Sequence, residues 1–126
     1  GVLERAAKYS KERVTFGKPI CENQAIAFKL AEMATQIDVA RAMLYNTARM
    51  SDNGVPFSKE ATMTKLFCSE MCVRVCDMGL QIMGGYGLCD DYQVERMYRD
   101  AKLLTIGEGT SEICRMVIGR HVLKEY

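Results

Sequence analysis

The sequence of 126 residues has no tryptophan, only two prolines and a single histidine, His121. One histidine gives little support to a histidine-rich metal site or to a histidine-based catalytic triad. The formal net charge is +1, without a long run of one sign. Duplex binding needs a concentrated basic face, so nucleic acid is not expected as a partner. No apolar run approaches the roughly 20 residues that span a bilayer, so no membrane span is expected.

Hydrophobic residues make up 48% of the sequence and charged residues 26%, which predicts one packed soluble domain. Gly1–Glu4 enters an amphipathic stretch directly, without a signal peptide, so we expect the chain to be part of a longer protein. The six cysteines form no Cys-x-x-Cys pair, which favours free thiols in a bacterial cytoplasm or the mitochondrial matrix. Cys68, Cys72 and Cys76 recur every fourth residue, and we interpret them as core residues rather than metal ligands.

Apolar residues recur with a helical period almost throughout. This predicts an all-α fold, an antiparallel up-and-down four-helix bundle without strands. The predicted helices cover residues 1–13, 22–51, 58–83, 92–98 and 111–124, with Ser58 as one N-cap and Thr110 or Ser111 as another. Segments 14–21 and 99–109 are expected to be irregular. The third helix carries two adjacent apolar stripes, so we expect subunit contacts to bury part of it.

Two segments place polar groups beside glycines. In the first, Arg13 and Thr15 precede Phe16–Gly17, and Gln24 follows. This pattern is typical of a helix C-terminus, but an arginine fork and a threonine hydroxyl also suit an anionic ligand such as phosphate. In the second, Gln81–Gly87 ends the third helix. A helix cap explains it, and so does close approach of the backbone to a flat ligand, which glycines permit.

A third segment places a carboxylate between two glycines, Gly107 and Gly109, just before the last helix. A loop followed by a helix N-cap explains the pattern, with Glu112 complementing the helix dipole. The alternative is functional. Flanking glycines free the backbone to place the Glu108 side chain in a cleft, where it can abstract a proton next to a carbonyl.

Taken together and in order, these segments resemble the C-terminal domain of acyl-CoA dehydrogenases. The matching stretches are KERVTFGKP with Gln24, QIMGGYG, RDAK and EGTSEI, and the resemblance covers essentially the whole chain. It implies that residues 1–126 follow an N-terminal helical domain and a β-domain that are absent here. It further implies a homotetrameric FAD enzyme of fatty acid metabolism, built from dimers, that passes electrons to electron-transfer flavoprotein. Its reaction converts an acyl-CoA to the trans-2-enoyl-CoA.

The same resemblance assigns roles to individual residues. Glu108 is the expected base for the pro-R α-proton, while the β-hydrogen leaves as hydride to flavin N5. Its backbone amide is expected to polarise the thioester carbonyl, which places Glu108 and Gly109 at the substrate. Arg120 is expected near the CoA adenine, facing inward towards the site or the bundle. The expected FAD contacts are Thr110 and Glu112 in the same subunit, and Arg13, Thr15, Phe16, Gln24, Gln81, Gly84 and Gly85 towards the partner's FAD.

Two positions depart from the best-known medium-chain pattern. Gly107 replaces an aromatic residue before the base, and Glu112 stands where glutamine is common. Two alternative functions stay open, an acyl-CoA oxidase and a non-catalytic helical module for assembly. The isolated chain is expected to bind FAD weakly, to be inactive and to self-associate. Acyl-chain length is not determined by these residues.

Overall fold

The computed structural model describes residues 1–126 and confirms the all-α prediction. Five α-helices follow one another: α1 (Val2–Glu12), α2 (Gln24–Asp52), α3 (Ser58–Met83), α4 (Val94–Leu103) and α5 (Ser111–Glu125). Short 3-10 turns lie at Ile20–Glu22, Gly84–Leu88 and Asp90–Tyr92. No helix has both the length and the apolar character that crossing a membrane requires.

Helix α3 is the centre of the bundle, because it contacts α1, α2, α4 and α5. Val75, Cys76 and Ile82 are among its buried side chains, whereas others, such as Phe67 and Leu80, are only partly buried. The expectation that subunit contacts bury part of α3 stays a prediction. Two adjacent apolar stripes allow one helix to serve as the core of a small domain when neighbours from the same chain surround it.

Helix α2 contacts the rest of the chain along a narrow line. Its buried residues are Met33, Ala40 and Thr47, which are spaced seven residues apart. Such spacing keeps one side of a helix against its neighbour over many turns. The hydroxyl groups of Thr47 and Thr64 lie 2.8 Å apart in the core between α2 and α3, so each buried hydroxyl has a partner.

Exposed apolar side chains lie elsewhere, mainly on α2, α5 and the loops. On α2 they are Phe28, Val39, Leu44 and Tyr45, and on α5 they include Ile113, Met116 and Leu123. Large apolar side chains grouped on one surface often mark an interaction site. The exposed apolar side chains of α2 and α5 are therefore further candidates for contacts with another subunit.

Four local predictions need correction. Val14–Thr15 and Lys18–Pro19 form a two-residue antiparallel ladder, β1 and β2, where no strand was expected. Ser58 is the first residue of α3, its N-cap is Phe57, and no side chain caps that end. Helix α4 runs to Leu103 through a stretch expected to be irregular, and it begins at Val94 rather than at residue 92. Thr110, in contrast, caps α5 as predicted, with its hydroxyl accepting from the Ile113 amide at 3.3 Å.

The cysteines behave as the sequence predicted. All six are free thiols. Cys76 and Cys114 are buried, and Cys68 and Cys72 are half-buried on α3. The Cys76 thiol donates to the Met97 carbonyl at 3.7 Å, which ties α3 to α4.

Gly79 marks the closest approach of α1 to α3. A Cβ atom at this position would lie 2.2 Å from Cγ1 of Val2 and 3.4 Å from Cε of Met33. We expect Gly79→Ala to lower the free energy of unfolding by about 1–3 kcal/mol, because the extra methyl group overpacks the core. Chemical denaturation of the variant measures this loss.

The control is Gly119→Ala in α5, where an added Cβ meets nothing within 4 Å. That change should be neutral or stabilising by up to about 1 kcal/mol, because alanine favours helix. The double variant with Val2→Ala should recover part of the loss. Equal stability of Gly79→Ala and the parent protein would contradict the tight crossing.

Candidate active site

A cleft of about 500 Å³ lies where α1, the β1–β2 hairpin and the end of α3 meet. We call it the glycine cleft. Five of the predicted cofactor residues line it: Arg13, Thr15, Gln81, Gly84 and Gly85. The fold thus brings together residues almost 70 positions apart in sequence.

Backbone geometry keeps this cleft open. Gly84 has a φ of 57°, a conformation that glycine adopts without strain. A Cβ atom built on Gly84 or Gly85 would meet nothing within 4 Å, so the backbone here faces free space. The end of α3 therefore offers an accessible stretch of main chain at the edge of the cleft.

Arg13 is held over an aromatic ring at one side of the glycine cleft. Its guanidinium carbon lies 5.4 Å from the ring centroid of Tyr86, which is a cation–π distance. Tyr86 also belongs to a cluster with Tyr9 and Tyr92, whose centroids are 5.6 to 6.1 Å apart. Burial raises the pKa of Tyr9, and the nearby Arg13 cation opposes that rise.

Two of the seven residues expected at the partner's FAD, Phe16 and Gln24, lie outside this cleft. Phe16 and Gly17 form the turn between β1 and β2, with φ values of 51° and 81°. The Phe16 side chain is 103% exposed and contacts no part of the core. Gln24 is also exposed, at the first position of α2. These side chains are available to a partner molecule rather than to the chain's own cleft.

Glu108 lies on a compact loop between α4 and α5. Its φ is 56° and that of Gly109 is 96°, so two successive residues have left-handed backbone. The flanks of this loop are fixed by hydrogen bonds, from the Gly107 amide to the Leu103 carbonyl at 2.8 Å and from the Ser111 amide to the Thr105 carbonyl at 3.0 Å. The Glu108 side chain itself is exposed.

A second cleft, of about 360 Å³, lies between α3 and the start of α5. We call it the α5 cleft. Thr110 and Glu112 line it together with Glu70, Arg74 and Lys102. Arg115 pairs with Glu70 across its edge at 2.5 Å. Charged groups of both signs therefore surround a small polar pocket at a helix N-terminus.

The pKa of Glu112 lies below its ordinary value. Its own backbone amide and the Thr110 hydroxyl are the main causes, and the cations Arg115 and Lys102 add to the effect. Glu112 is in the first turn of α5, where a negative charge also complements the helix dipole.

The two clefts lie at different positions along α3. They share no lining residue. The loop with Glu108 contacts α3 at Lys65, whereas the glycine cleft begins at Gln81. At 1.5 Å of rise per residue, these two positions are about 24 Å apart along the helix axis. One chain therefore carries two separate sets of predicted cofactor residues.

The position of Arg120 differs in part from the expectation that it faces inward towards the site or the bundle. It is exposed, and Ile113 and Met116, which share its face of α5, are each 46% exposed. That face does not point into the bundle. The only hydrogen bond of the Arg120 side chain is with the Met116 sulfur at 3.8 Å, so its guanidinium is available to another molecule.

The sequence profile of the family described as acyl-CoA dehydrogenase, C-terminal domain, matches residues 1–123. This match covers nearly the whole chain. The chain belongs to that family.

Relatives of this acyl-CoA dehydrogenase domain agree with the match. A probable acyl-CoA dehydrogenase, YngJ, from Bacillus subtilis is 55% identical over 97% of this chain and 32% of the relative. The CarC subunit of the caffeyl-CoA reductase-Etf complex from Acetobacterium woodii is 49% identical over 99% of this chain and 33% of the relative. The solved structure of butyryl-CoA dehydrogenase from Megasphaera elsdenii superposes with a TM-score of 0.95 at 45% identity, over 97% of this chain and 32% of that structure.

The acyl-CoA dehydrogenase domain described here is thus similar to both dehydrogenases and a reductase subunit. It spans about a third of the length of the curated relatives that it matches.

Sequence reasoning missed several residues at the two clefts of this acyl-CoA dehydrogenase domain. Tyr86 lies between Gly85 and Gly87, and an aromatic residue between two glycines is a pattern that could have indicated a place at the cleft. Glu70 and Arg74 lie more than 30 residues before the EGTSEI stretch in sequence. Only the packing of α3 beside α5 brings them to the α5 cleft, so no local pattern could identify them. Lys102 belongs to the RDAK stretch, but that stretch alone did not indicate a place at this cleft.

The lowered pKa of Glu112 predicts a pH-dependent contribution to stability. The carboxylate form is favoured in the folded protein, so Glu112 stabilises it above the ordinary pKa of 4.5. That contribution is lost as the pH falls through the lower pKa of the folded state. The difference in stability between the parent protein and Glu112→Gln should therefore be largest near neutral pH and shrink below about 4.5.

Denaturation curves of both proteins from pH 7 to pH 3 measure this difference. Thr110→Val in both backgrounds is the control, because removing the hydroxyl should weaken the pH dependence. A stability difference that stays constant over this range would show that Glu112 has no special interaction with its surroundings.

Proposed function

We propose that the protein containing this chain is an FAD-dependent enzyme that introduces an α,β double bond into an acyl-CoA thioester. The observation that carries this proposal is Glu108, an exposed carboxylate with left-handed backbone on a loop between two glycines. A non-glycine residue in this conformation costs energy and is often found at functional sites. Membership of the acyl-CoA dehydrogenase family gives that residue a specific role.

Glu108 acts as the base in this proposal. Its carboxylate accepts the α-proton of the thioester, and its backbone amide donates to the thioester carbonyl where negative charge develops. The amides of Glu108 and Gly109 make no backbone hydrogen bond within the chain. A donor without an internal partner is available to an incoming carbonyl, which supports the assignment.

The residues of the glycine cleft suit the phosphates and the adenosine part of FAD. The Arg13 guanidinium presents a fork of donors, and the Thr15 hydroxyl and the Gln81 amide add neutral polar groups. Gly84 and Gly85 leave room for a ligand to reach the backbone. Phe16 and Gln24 extend this surface beside the cleft. FAD, when bound, supplies the acceptor for the β-hydrogen that leaves with its electron pair.

The separation of the two clefts supports shared sites in an oligomer. Thr110 and Glu112 of one chain would contact the FAD at its own Glu108, while the glycine cleft would hold part of the partner's FAD. The exposed apolar side chains of α2 and α5 offer surface for such an assembly. A dimer satisfies this arrangement, and a homotetramer is a pair of such dimers.

The remaining parts of the proposal concern the whole protein. We infer an N-terminal helical domain and a β-domain ahead of residues 1–126, in a bacterial cytoplasm or a mitochondrial matrix. Electron-transfer flavoprotein is the proposed electron acceptor. The name of the Acetobacterium woodii relative, a subunit of a complex with Etf, supports this choice.

A second candidate is the reverse reaction, reduction of a 2-enoyl-CoA. The same relative is named as part of a caffeyl-CoA reductase, and it is 49% identical to this chain. The acid and base roles follow from reversibility, because Glu108 protonates the α-carbon when the reaction runs towards the saturated thioester. An oxidase in which oxygen reoxidises the flavin is a further alternative. Fast reoxidation by air without a flavoprotein acceptor would favour it.

Replacing the base tests the proposal directly. In the full-length protein, Glu108→Gln should lose nearly all turnover with acyl-CoA while keeping bound FAD, because the amide cannot accept the proton. We expect a decrease of at least about 1,000-fold in kcat, at the level that removal of an essential group costs. Turnover is measured with an artificial electron acceptor, and FAD content by absorbance.

Glu125→Gln is the matched control, a glutamate of α5 whose partner is Lys59 and not the loop. Its kcat should stay within about 2-fold of the parent, since a partly exposed ion pair far from the loop contributes little. Turnover that survives in Glu108→Gln would overturn the assignment of the base.

The glycine cleft makes a separate prediction. Arg13→Met in the full-length protein should weaken FAD binding by roughly 10-fold or more, because it removes a charge-assisted bond to phosphate. Fluorescence titration of the apoprotein measures the affinity. Lys11→Met, at an exposed lysine of α1 outside the cleft, should leave it unchanged. Equal FAD affinity in Arg13→Met and the parent would remove the arginine from the cofactor site.

A further inference from the structure

Lys65 makes a contact that links the middle of the bundle to the Glu108 loop. Its ammonium group, on α3, donates to the carbonyl oxygen of Gly109, which is 44 residues away in sequence. Lys65 is half-buried, in a part of α3 that packs against α5. The contact therefore joins the residue after Glu108 to the central helix of the domain.

The Glu108–Gly109 segment has few other restraints. Backbone hydrogen bonds hold Gly107 and Ser111 on either side of it, but neither the Glu108 amide nor the Gly109 amide has a backbone partner. The Gly109 carbonyl has one other neighbour, the Cys114 thiol, with its sulfur 3.9 Å away. A thiol is a weak donor, so the lysine is the principal restraint on this peptide group.

The charge of Lys65 favours a strong contact. A hydrogen bond from a cationic donor is stronger than one between neutral groups. Glycine, the residue held, has the greatest backbone freedom of any residue, so its carbonyl direction is poorly defined without a partner.

We propose that Lys65 is a positioning residue for the reaction: it fixes the Gly109 carbonyl and thereby the direction of the Glu108 carboxylate and of the adjacent amides. The proposal rests on the proposed role of Glu108 as the base. Lys65 acts through the loop backbone rather than on the substrate itself. A base must be held close to its productive position, because small displacements of reacting groups cost large factors in rate.

Two other contacts of α3 with α5 show what an ordinary tie between these helices looks like. Lys59 pairs with Glu125 at 2.5 Å, and Glu70 pairs with Arg115 at 2.5 Å. Both join oppositely charged side chains and leave the loop untouched. Lys65 instead donates to a backbone carbonyl of the loop. Comparing Lys65 with an ordinary ion pair can therefore distinguish a role in positioning the loop from a role in stability.

The experiment compares Lys65→Met with Lys59→Met in the full-length protein with FAD bound. Both variants remove one lysine of α3 that reaches the α5 side of the bundle. For Lys65→Met we expect kcat to fall roughly 10- to 100-fold with KM and FAD content little changed, because the base loses its position. Lys59→Met should keep kcat within about 2-fold, since it removes only a partly exposed ion pair.

A second measurement does not depend on turnover. Hydrogen exchange followed by mass spectrometry should show faster exchange in the peptide covering residues 104–112 of Lys65→Met, and unchanged exchange there in Lys59→Met. Lys65→Arg, which keeps a cationic donor, should restore slow exchange and most of kcat. If Lys65→Met does not fold, Lys65→Gln is measured in its place.

Unchanged exchange of the loop in Lys65→Met would overturn the proposal, as would losses of kcat that match those of Lys59→Met. The proposed function fails in a different way, by turnover surviving in Glu108→Gln. In that case slow exchange that depends on Lys65 would still show that the lysine orders the loop, while the claim that it positions a base would be refuted.

Discussion

The burial of α3 by four other helices is the constraint on which the rest of this domain depends. Helices α1, α2, α4 and α5 hold α3 in place, and both candidate sites contact it. The glycine cleft lies at its C-terminal end, and the Glu108 loop contacts it sixteen residues earlier, at Lys65. At Gly79, α1 packs tightly against α3. This contact places Arg13, which follows the last residue of α1, at the cleft. The distance between the two sites is therefore set by helix geometry.

This arrangement explains why one chain carries two incomplete sets of binding groups. The glycine cleft offers a guanidinium, neutral polar groups and open backbone, but no carboxylate base. The Glu108 loop offers a carboxylate and free amides. Arg115, on the helix that follows the loop, is paired with Glu70. In the proposed oligomer, each set would be completed by groups of a partner chain. The exposed Phe16, at the tip of the hairpin, and the apolar faces of α2 and α5 provide surfaces through which those groups can be supplied.

The sequence predicted the helices and the clusters well, because both depend on local patterns. The period of apolar residues identified the last residue of α3, Met83. The preference of threonine and serine for N-caps left Thr110 or Ser111 for α5, of which Thr110 is the cap. It failed where tertiary packing decides: α4 extends to Leu103 because Val94 and Ala101 are buried against the bundle. Periodicity shows that α3 is apolar around much of its circumference, but not which neighbours bury each side. Lys65 gave no signal at all, because a lone lysine on a helix is identified only by what it contacts.

The left-handed backbone of Glu108 places the choice of side chain at this position under two opposing demands. Among residues other than glycine, asparagine and aspartate tolerate that conformation best. Aspartate would therefore reduce the backbone strain and keep a carboxylate. Its side chain is one methylene shorter, so that carboxylate would lie closer to the loop backbone. Glutamate has the longer side chain but is less favourable in this left-handed backbone conformation. Side-chain reach and backbone strain therefore oppose each other at position 108, and Gly109, directly after it, adds backbone freedom beside the glutamate.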